Sequence, residues 1–421
     1  MFYRLIIALL VLTQPNLSEA AYMCESLFDR SKDIIDIARE FRLTQLKPTY
    51  LDLSKNQSID IEHLQARSKL NPDALRRVAN LGVYLGLLDK ISPNEYILSS
   101  NFHTKEDRSN VVFWLLDVVT GKSNLLELQN KSLLKKSIEM GLVESTNDLQ
   151  LISPDVKKYL KNPFNQSRLT YFRNVLIPLY KPNVLSEVLK SGQSNWRSVI
   201  SKDISDPFEF YRTNPELLLD LMYSMHHVNK NGNTEIADWL FKNLSELNTI
   251  IDIGGATGSL ADSIINRTDK QIEYVIYEKA DAQTMIQKLN ERIYEDKNLL
   301  FKYVWGDFLK DTDNSFYNLE GHKADAIIFS WIIHDWSNST SIQLLHKAKK
   351  HLNNGGKIIL IEKLLDNDRV GPQTISDVDM LLQNLGKERT FSDYKEIVES
   401  AGLKITKTHF PENGRDIMVL E

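Results

Sequence analysis

Three glycines and two carboxylates stand at spacings that could seat a nucleoside. Thr249-Ile250-Ile251-Asp252-Ile253 is β-branched except at Asp252 and runs directly into Gly254, Gly255 and Gly258. That is the composition of a buried strand turning sharply toward a helix, whose apolar stripe is carried by Leu260, Ile264 and Ile265. Such a turn offers free N–H groups and the positive end of a helix dipole to an anionic or polar ligand. A second strand, Glu273–Glu278, ends in a carboxylate about 26 residues past Asp252, near the spacing at which an acid meets a ribose diol. The turn and the two acids point to a nucleoside without saying which.

The elements that would position these residues alternate. Strands over Leu299–Trp305, Ala324–Ser330 and Lys357–Ile361 are separated by helical patterns. A helix over Ile342–Leu352 is closed by Gly355-Gly356, and one over Phe391–Ala401 precedes a last strand pair, Lys404–Phe410 and Asp416–Leu420. This βαβ order predicts an α/β fold with a doubly wound, mostly parallel, Rossmann-like sheet. Its strands end in or just before Asp252, Glu278, Asp307, His334 and Glu362, and ligands of such sheets bind at that carboxyl edge. Upstream, Asn214-Pro215-Glu216 starts a helix reaching His226-His227, and Thr234–Leu244 reads as another. Near the N-terminus, helices over Leu27–Leu46 and Ile59–Leu70, a helix start at Asn71-Pro72-Asp73 and a hairpin over Lys90–Ser100 make a mainly helical, winged-helix arrangement. A weaker echo follows, Ser132–Met140 with a hairpin around Leu149–Ser153, either a second winged-helix-like unit or coincidence.

These elements divide the 421 residues into an N-terminal stretch 1–22, a winged-helix unit 23–105, a helical connecting region 106–213 and an α/β domain 214–421. The chain is 42% hydrophobic and 25% charged with a net charge of -5, so no basic balance recruits nucleic acid or an anionic membrane. Arg76-Arg77 is the only adjacent basic pair on the presumed recognition helix. Cys24 is the single cysteine, so no intrachain disulfide forms. No metal is expected: His226-His227 is adjacent rather than one helical turn apart. The apolar run Leu5–Leu12 followed by Ser18-Glu19-Ala20 has the layout of a secretory signal peptide. It reads equally as an extension ahead of a start at Met23, which leaves a cytoplasmic protein or an exported one.

Ile250–Leu260, Gly306-Asp307-Phe308, Trp331-Ile332-Ile333-His334-Asp335-Trp336-Ser337, Gly355–Glu362 and Gly386-Lys387-Glu388-Arg389-Thr390 occur in the order found in one group of enzymes. The chain resembles S-adenosylmethionine-dependent O-methyltransferases of the caffeate/acetylserotonin type, most strongly from about Pro215 onward. The resemblance implies S-adenosylmethionine as cosubstrate and a homodimer formed through the N-terminal domain. It implies a class I methyltransferase domain that methylates a hydroxyl of a small aromatic acceptor. Asp252, Gly254, Gly255 and Gly258 would form the cosubstrate turn, Glu278 would hold the ribose, and Asp307 and Phe308 would flank the adenine. His334 would be the general base, oriented by Glu362 and Glu388, with Met225, Asp335, Met380 and Asn384 toward the acceptor.

The residue types suit that chemistry. A phenol with a pKa near ~10 can give its proton to a neutral imidazole whose far nitrogen is held by a carboxylate, and a cytosolic cosubstrate favours the cytoplasm. Three positions depart from the group's pattern: Ala256 replaces a third close-set glycine, Ser330 stands where many members carry Lys or Arg, and Asn338 replaces an acid. The same scaffold could instead serve N-methylation, decarboxylation or a non-catalytic regulator.

Overall fold

The computed structural model describes residues 59–60, 70–84, 88–92, 95–98, 143–146, 149–152, 161–179, 182–194, 210–211, 213–244, 246–294, 299–310, 323–366, 370–371, 373–383, 386–411 and 414–421. The chain forms two compact units, Met1–Val199 and Ile200–Glu421. The expected elements at 1–22, Leu27–Leu46 and Ser132–Met140 lie outside the described residues.

In the first unit, β1 (Ile59–Asp60), β2 (Leu88–Ser92) and β3 (Glu95–Leu98) form a sheet in the order β1-β3-β2. The expected hairpin is therefore present. The expected helix over Ile59–Leu70 does not begin at Ile59: Ile59 and Asp60 pair antiparallel with Tyr96 and Glu95, the open edge of the hairpin capturing a β-branched residue. α1 (Pro72–Tyr84) starts where Asn71-Pro72 predicts, with the Ala74 N–H donating to Asn71 Oδ1 at 3.0 Å. A second hairpin, β4 (Val143–Thr146) and β5 (Leu149–Ile152), matches the echo. Two further helices follow, α2 (Pro163–Tyr171) and α3 (Pro182–Ser191).

The second unit opens on α4 (Pro215–Asn243), one helix of 29 residues where two were expected. Gly232 lies inside it at a cost of about 1 kcal/mol. Ile236, Ala237 and Leu240 pack on the sheet beyond it, and Asn233 is bonded across to Ser259, so the helix continues through the glycine. Seven strands of one sheet follow: β6 (Thr249–Ile253), β7 (Glu273–Lys279), β8 (Lys302–Gly306), β9 (Ala324–Ser330), β10 (Leu352–Glu362), β13 (Ile405–His409) and β14 (Asp416–Leu420). Their order is β13-β14-β10-β9-β6-β7-β8, parallel from β10 to β8 and antiparallel through β14 and β13. β10 begins ahead of Gly355-Gly356, which sits in an irregular register between Leu352 and Lys357.

Alternation along the strands builds two hydrophobic layers. Ile251, Ile253, Phe329, Leu360 and Met418 face α7 (Asn338–Lys350) and α9 (Phe391–Ser400). Ile250, Ile328, Ile361 and Ile417 face α4 and α5 (Ser259–Ile265). α6 (Gln283–Tyr294) joins β7 to β8, and α8 (Gln373–Gln383) precedes a short parallel pair, β11 (Leu364–Leu365) and β12 (Arg389–Thr390). The chain reverses direction across the sheet between β6 and β9, the switch point at which ligands of such sheets bind. Among the described residues no helix is long and apolar enough to cross a membrane.

Candidate active site

At the carboxyl end of β6 the backbone turns left-handed at Gly254 (φ 66°) and again at Gly258 (φ 77°), which caps α5. The Gly254 N–H donates to Tyr277 O at 2.8 Å, and the Gly258 N–H donates to Gly255 O at 2.9 Å. A Cβ at Gly258 would lie 2.3 Å from Phe301 Cζ, so only glycine fits there. Ala256 is also left-handed, at φ 48°. Its N–H donates to Glu278 Oε2 at 3.0 Å and its carbonyl accepts from the Tyr303 hydroxyl at 2.8 Å, two bonds that hold an alanine in a conformation favouring glycine. Glu278 Oε1 accepts from the Lys279 N–H at 2.8 Å. Burial raises the Glu278 pKa, against the pull of the Lys279 and Ala256 N–H groups. Each of its oxygens accepts one backbone donor in the structure and has a second lone pair for a diol.

Asp252 lies buried beneath this turn. Its Oδ2 accepts from the Tyr274 hydroxyl at 2.9 Å, and burial lifts its pKa to about 7. Its Oδ1 is buried without a hydrogen-bond partner. Thr257 Oγ1 is 2.8 Å from His226 Nδ1, and burial with the Lys230 charge lowers the His226 pKa to about 4, so that ring is neutral. Asp307 Oδ1 accepts from the N–H groups of Leu309 and Lys310 and so closes its own turn after β8. Phe308, expected beside an adenine, is buried in the hydrophobic layer, edge-on to Trp336 at 6.3 Å.

On the other side of the switch point, β9 ends at Ser330 and the chain enters a short 3₁₀ turn, Ile333–Asp335. His334 is 6% exposed, and its Nδ1 lies 3.0 Å from Glu388 Oε1. The Ser376 hydroxyl donates to the same carboxylate oxygen. His334 Nε2 points the other way, 3.7 Å from Asp335 Oδ1. Burial opposes charge on the ring but is outweighed by Glu388, Asp335 and Glu362, which raise its pKa to about 10. Glu362, expected to orient the ring, does not bond it. Its Oε1 accepts the backbone N–H groups of Ile332 (3.3 Å) and Ile333 (2.8 Å), so it holds the turn that carries the ring. Burial lifts the Glu362 pKa to about 7, partly offset by His334.

Arg389 secures the same turn from outside. It donates to the carbonyls of Ile333 (3.0 Å) and Trp336 (2.6 Å) and, through Nε, to Asn338 Oδ1 (3.1 Å). The departure at Asn338 thus keeps an acceptor for the guanidinium. The structure brings His334, Asp335, Glu362 and Glu388 together and sets Asp252, the glycine turn and Glu278 at the same sheet edge. Met225 is 39% exposed on α4 and Met380 is half-buried on α8, while Asn384 lies outside the described residues. His226, Asn233, Ser376 and Arg415 are site residues that sequence reading missed. Only Arg415 carried a signal: it is a charge at the head of the apolar strand Asp416–Leu420.

A seven-stranded sheet in this order, with a glycine turn and a carboxylate at the ends of two adjacent parallel strands, is that of a class I methyltransferase domain. The family model described as an O-methyltransferase domain matches residues 183–404, just over half of the 421-residue chain. The chain belongs to this O-methyltransferase family. Acetylserotonin O-methyltransferase of Gallus gallus is 33% identical over 163 residues, 38% of this chain and 44% of that protein. Norreticuline-7-O-methyltransferase of Papaver somniferum is 30% identical over 172 residues, 38% and 41%. The chain spans about half the length of the curated relatives it matches, from 41% to 60% for the first three. The fold is also that of human N-acetylserotonin methyltransferase in complex with SAM, at TM-score 0.56 and 17% identity over 97% of this chain and 99% of that one. PigF with SAH gives 0.58 and 17% over 96% and 98%.

Proposed function

We propose that this chain is an S-adenosylmethionine-dependent O-methyltransferase that methylates the hydroxyl of a small aromatic molecule, with His334 as the general base. One observation carries the reading: Glu388 holds His334 Nδ1 at 3.0 Å at the same sheet edge as the glycine turn. The donor set fits the cosubstrate, because Glu278 keeps a lone pair on each oxygen beside a turn whose backbone is fixed by its own hydrogen bonds. When bound, S-adenosylmethionine supplies a methyl on a positively charged sulfur, which keeps the S–C electron pair as the methyl moves to oxygen.

The chain's own residues supply position and proton transfer. Gly254 to Gly258 and Glu278 hold the nucleoside. His334 takes the hydroxyl proton on Nε2, and Glu388 on Nδ1 stabilises the resulting imidazolium. The three carboxylates that make the ring a strong acceptor also keep a proton on it in the free protein. Positive charge brought to this edge opposes that proton, so the ring becomes a competent base as the site fills. The N-terminal unit, with α1 packed beside the β2–β3 hairpin, is read as the homodimerisation module, and the cytoplasm as the compartment that supplies the cosubstrate.

The test combines calorimetry of S-adenosylmethionine and S-adenosylhomocysteine with methyl transfer from labelled cosubstrate to a panel of phenols, aryl amines and aliphatic alcohols. Label on phenolic oxygen is expected. Binding without transfer to any phenol, or transfer only to nitrogen, would overturn the reading.

A further inference from the structure

Resting on the reading above, we infer that Arg415 is a positioning residue that ties the cosubstrate turn to the strand end carrying His334. It stands just ahead of β14, where Asp416 pairs with Glu362 at the carboxyl end of β10. Strand alternation turns it to the layer of Ile417, Ile328 and Ile250, the side of α4 and α5. Ser330 at the end of β9 and Asp252, next to last in β6, turn toward that same layer, so the guanidinium lies on the side they share.

Its bonds connect the two halves. Nη1 donates to Ser330 Oγ at 2.6 Å, and Nη2 donates to Asn233 Oδ1 on α4. Asn233 Nδ2 donates to Ser259 Oγ at 2.9 Å, and that hydroxyl donates to His226 O at 3.2 Å. His226 Nδ1 meets Thr257 Oγ1 at 2.8 Å, inside the cosubstrate turn. On the other side the guanidinium lies over the Trp331 ring, 5.7 Å from its centroid, and that ring is 5.0 Å from the His334 imidazole. Trp331 has φ 58°, a conformation a bulky residue holds only where its surroundings fix it. Arg415 is 7% exposed, and the charges of Glu362 and Asp252 favour its cation against burial. A guanidinium fork can bond Asn233 and Ser330 at once while lying over the indole, so lysine would keep the charge and lose the geometry.

The test uses the full chain with Arg415→Ala, Arg415→Lys, Asn233→Ala and the double Arg415→Ala/Asn233→Ala. Asn233→Ala removes both the acceptor for Arg415 and the donor to Ser259, and it adds no charge. Calorimetry with S-adenosylhomocysteine and kcat at saturating S-adenosylmethionine are the readouts, with Tm alongside. Arg415→Ala is expected to raise Kd about tenfold and to lower kcat about tenfold, since both halves lose their tie. Arg415→Lys recovers part of the kcat, Asn233→Ala raises Kd by a similar factor, and the double variant binds no more weakly than Arg415→Ala. A lower Tm with Kd and kcat intact, or Kd effects that multiply in the double variant, overturns the inference. Should Arg415→Ala not fold, an unchanged Kd in Asn233→Ala overturns it equally. If the wild-type chain binds neither nucleoside, the functional reading has failed and this one falls with it, a result visible without any variant.

Discussion

The turn at the ends of β6 and β7 and the histidine–carboxylate cluster at the ends of β9 and β10 are assembled by different means. The first is made of backbone. Its shape comes from left-handed positions at 254, 256 and 258, and Glu278 bonds main-chain N–H groups. Its histidine, His226, is neutral. The second is made of buried charge: one imidazole among Glu362, Glu388 and Asp335, with Arg389 holding the turn through carbonyls. A backbone site tolerates side-chain changes that leave its dihedrals alone. A buried-charge site does not, because removing one member leaves another unpaired. Apart from changes at Arg415, which ties the two, binding and chemistry should therefore fail separately, and side-chain replacement should hurt the second region more.

The largest effect belongs to His334→Ala. Loss of the proton acceptor should lower kcat by about 10²–10⁴-fold, while calorimetric binding of S-adenosylmethionine stays within a few-fold of wild type. Equal loss in both measurements would mean that the two regions are not separable.

Glu388→Gln comes next and shows itself in pH. Base catalysis needs the neutral ring, so kcat/KM rises with pH up to the ring's pKa, which Glu388, Asp335 and Glu362 together raise to about 10 against burial. Removing the Glu388 charge lets burial count for more, so the acidic limb moves to lower pH. The plateau rate falls by on the order of 10²-fold, because the imidazolium loses its stabilising partner. Using one acceptor for both proteins cancels the acceptor's own titration. A limb that stays in place would show that Glu388 does not set the ring's charge.

Glu278→Gln tests the other region. An amide cannot accept from both the Ala256 and Lys279 N–H groups, and a hydrogen bond to a charged group is worth about 1.5–3 kcal/mol. Kd for both nucleosides should rise about tenfold or more, appearing in KM for the cosubstrate far more than in kcat. A loss confined to kcat would move Glu278 out of the binding role.

The same contrast governed what could be read from the sequence. The turn lies within 252–258 and its acid follows at a familiar spacing, so both were legible from residue type alone. His334 and Glu362 were legible as strand ends, but what Glu362 bonds was not. A carboxylate can face a ring or a backbone turn, and only the 3₁₀ geometry after β9 decides. Glu388 lies 54 positions from His334 and emerged from resemblance, not from periodicity. Arg415 shows in the sequence only as a charge ahead of an apolar strand; its partners, Ser330 and Asn233, lie 85 and 182 positions away, so no local pattern pairs them. α4 was split at Gly232 because local propensity sees the glycine but not the packing that carries the helix through it.

Ala256→Gly is the smallest expected effect and sharpens the comparison most. Alanine at φ 48° carries strain of roughly 1–2 kcal/mol, which glycine would relieve. Glycine also loosens the unfolded chain by about 0.4–1 kcal/mol, so the two contributions largely cancel in Tm. The turn's shape is set by the Ala256 N–H on Glu278 and the Tyr303 hydroxyl on the Ala256 carbonyl, and glycine keeps both bonds. Kd for S-adenosylhomocysteine should then change by no more than about twofold, less than 0.5 kcal/mol. A much larger change would mean that the methyl group itself shapes the turn. The region would then depend on side chains as the histidine–carboxylate cluster does, and the distinction between them would fail.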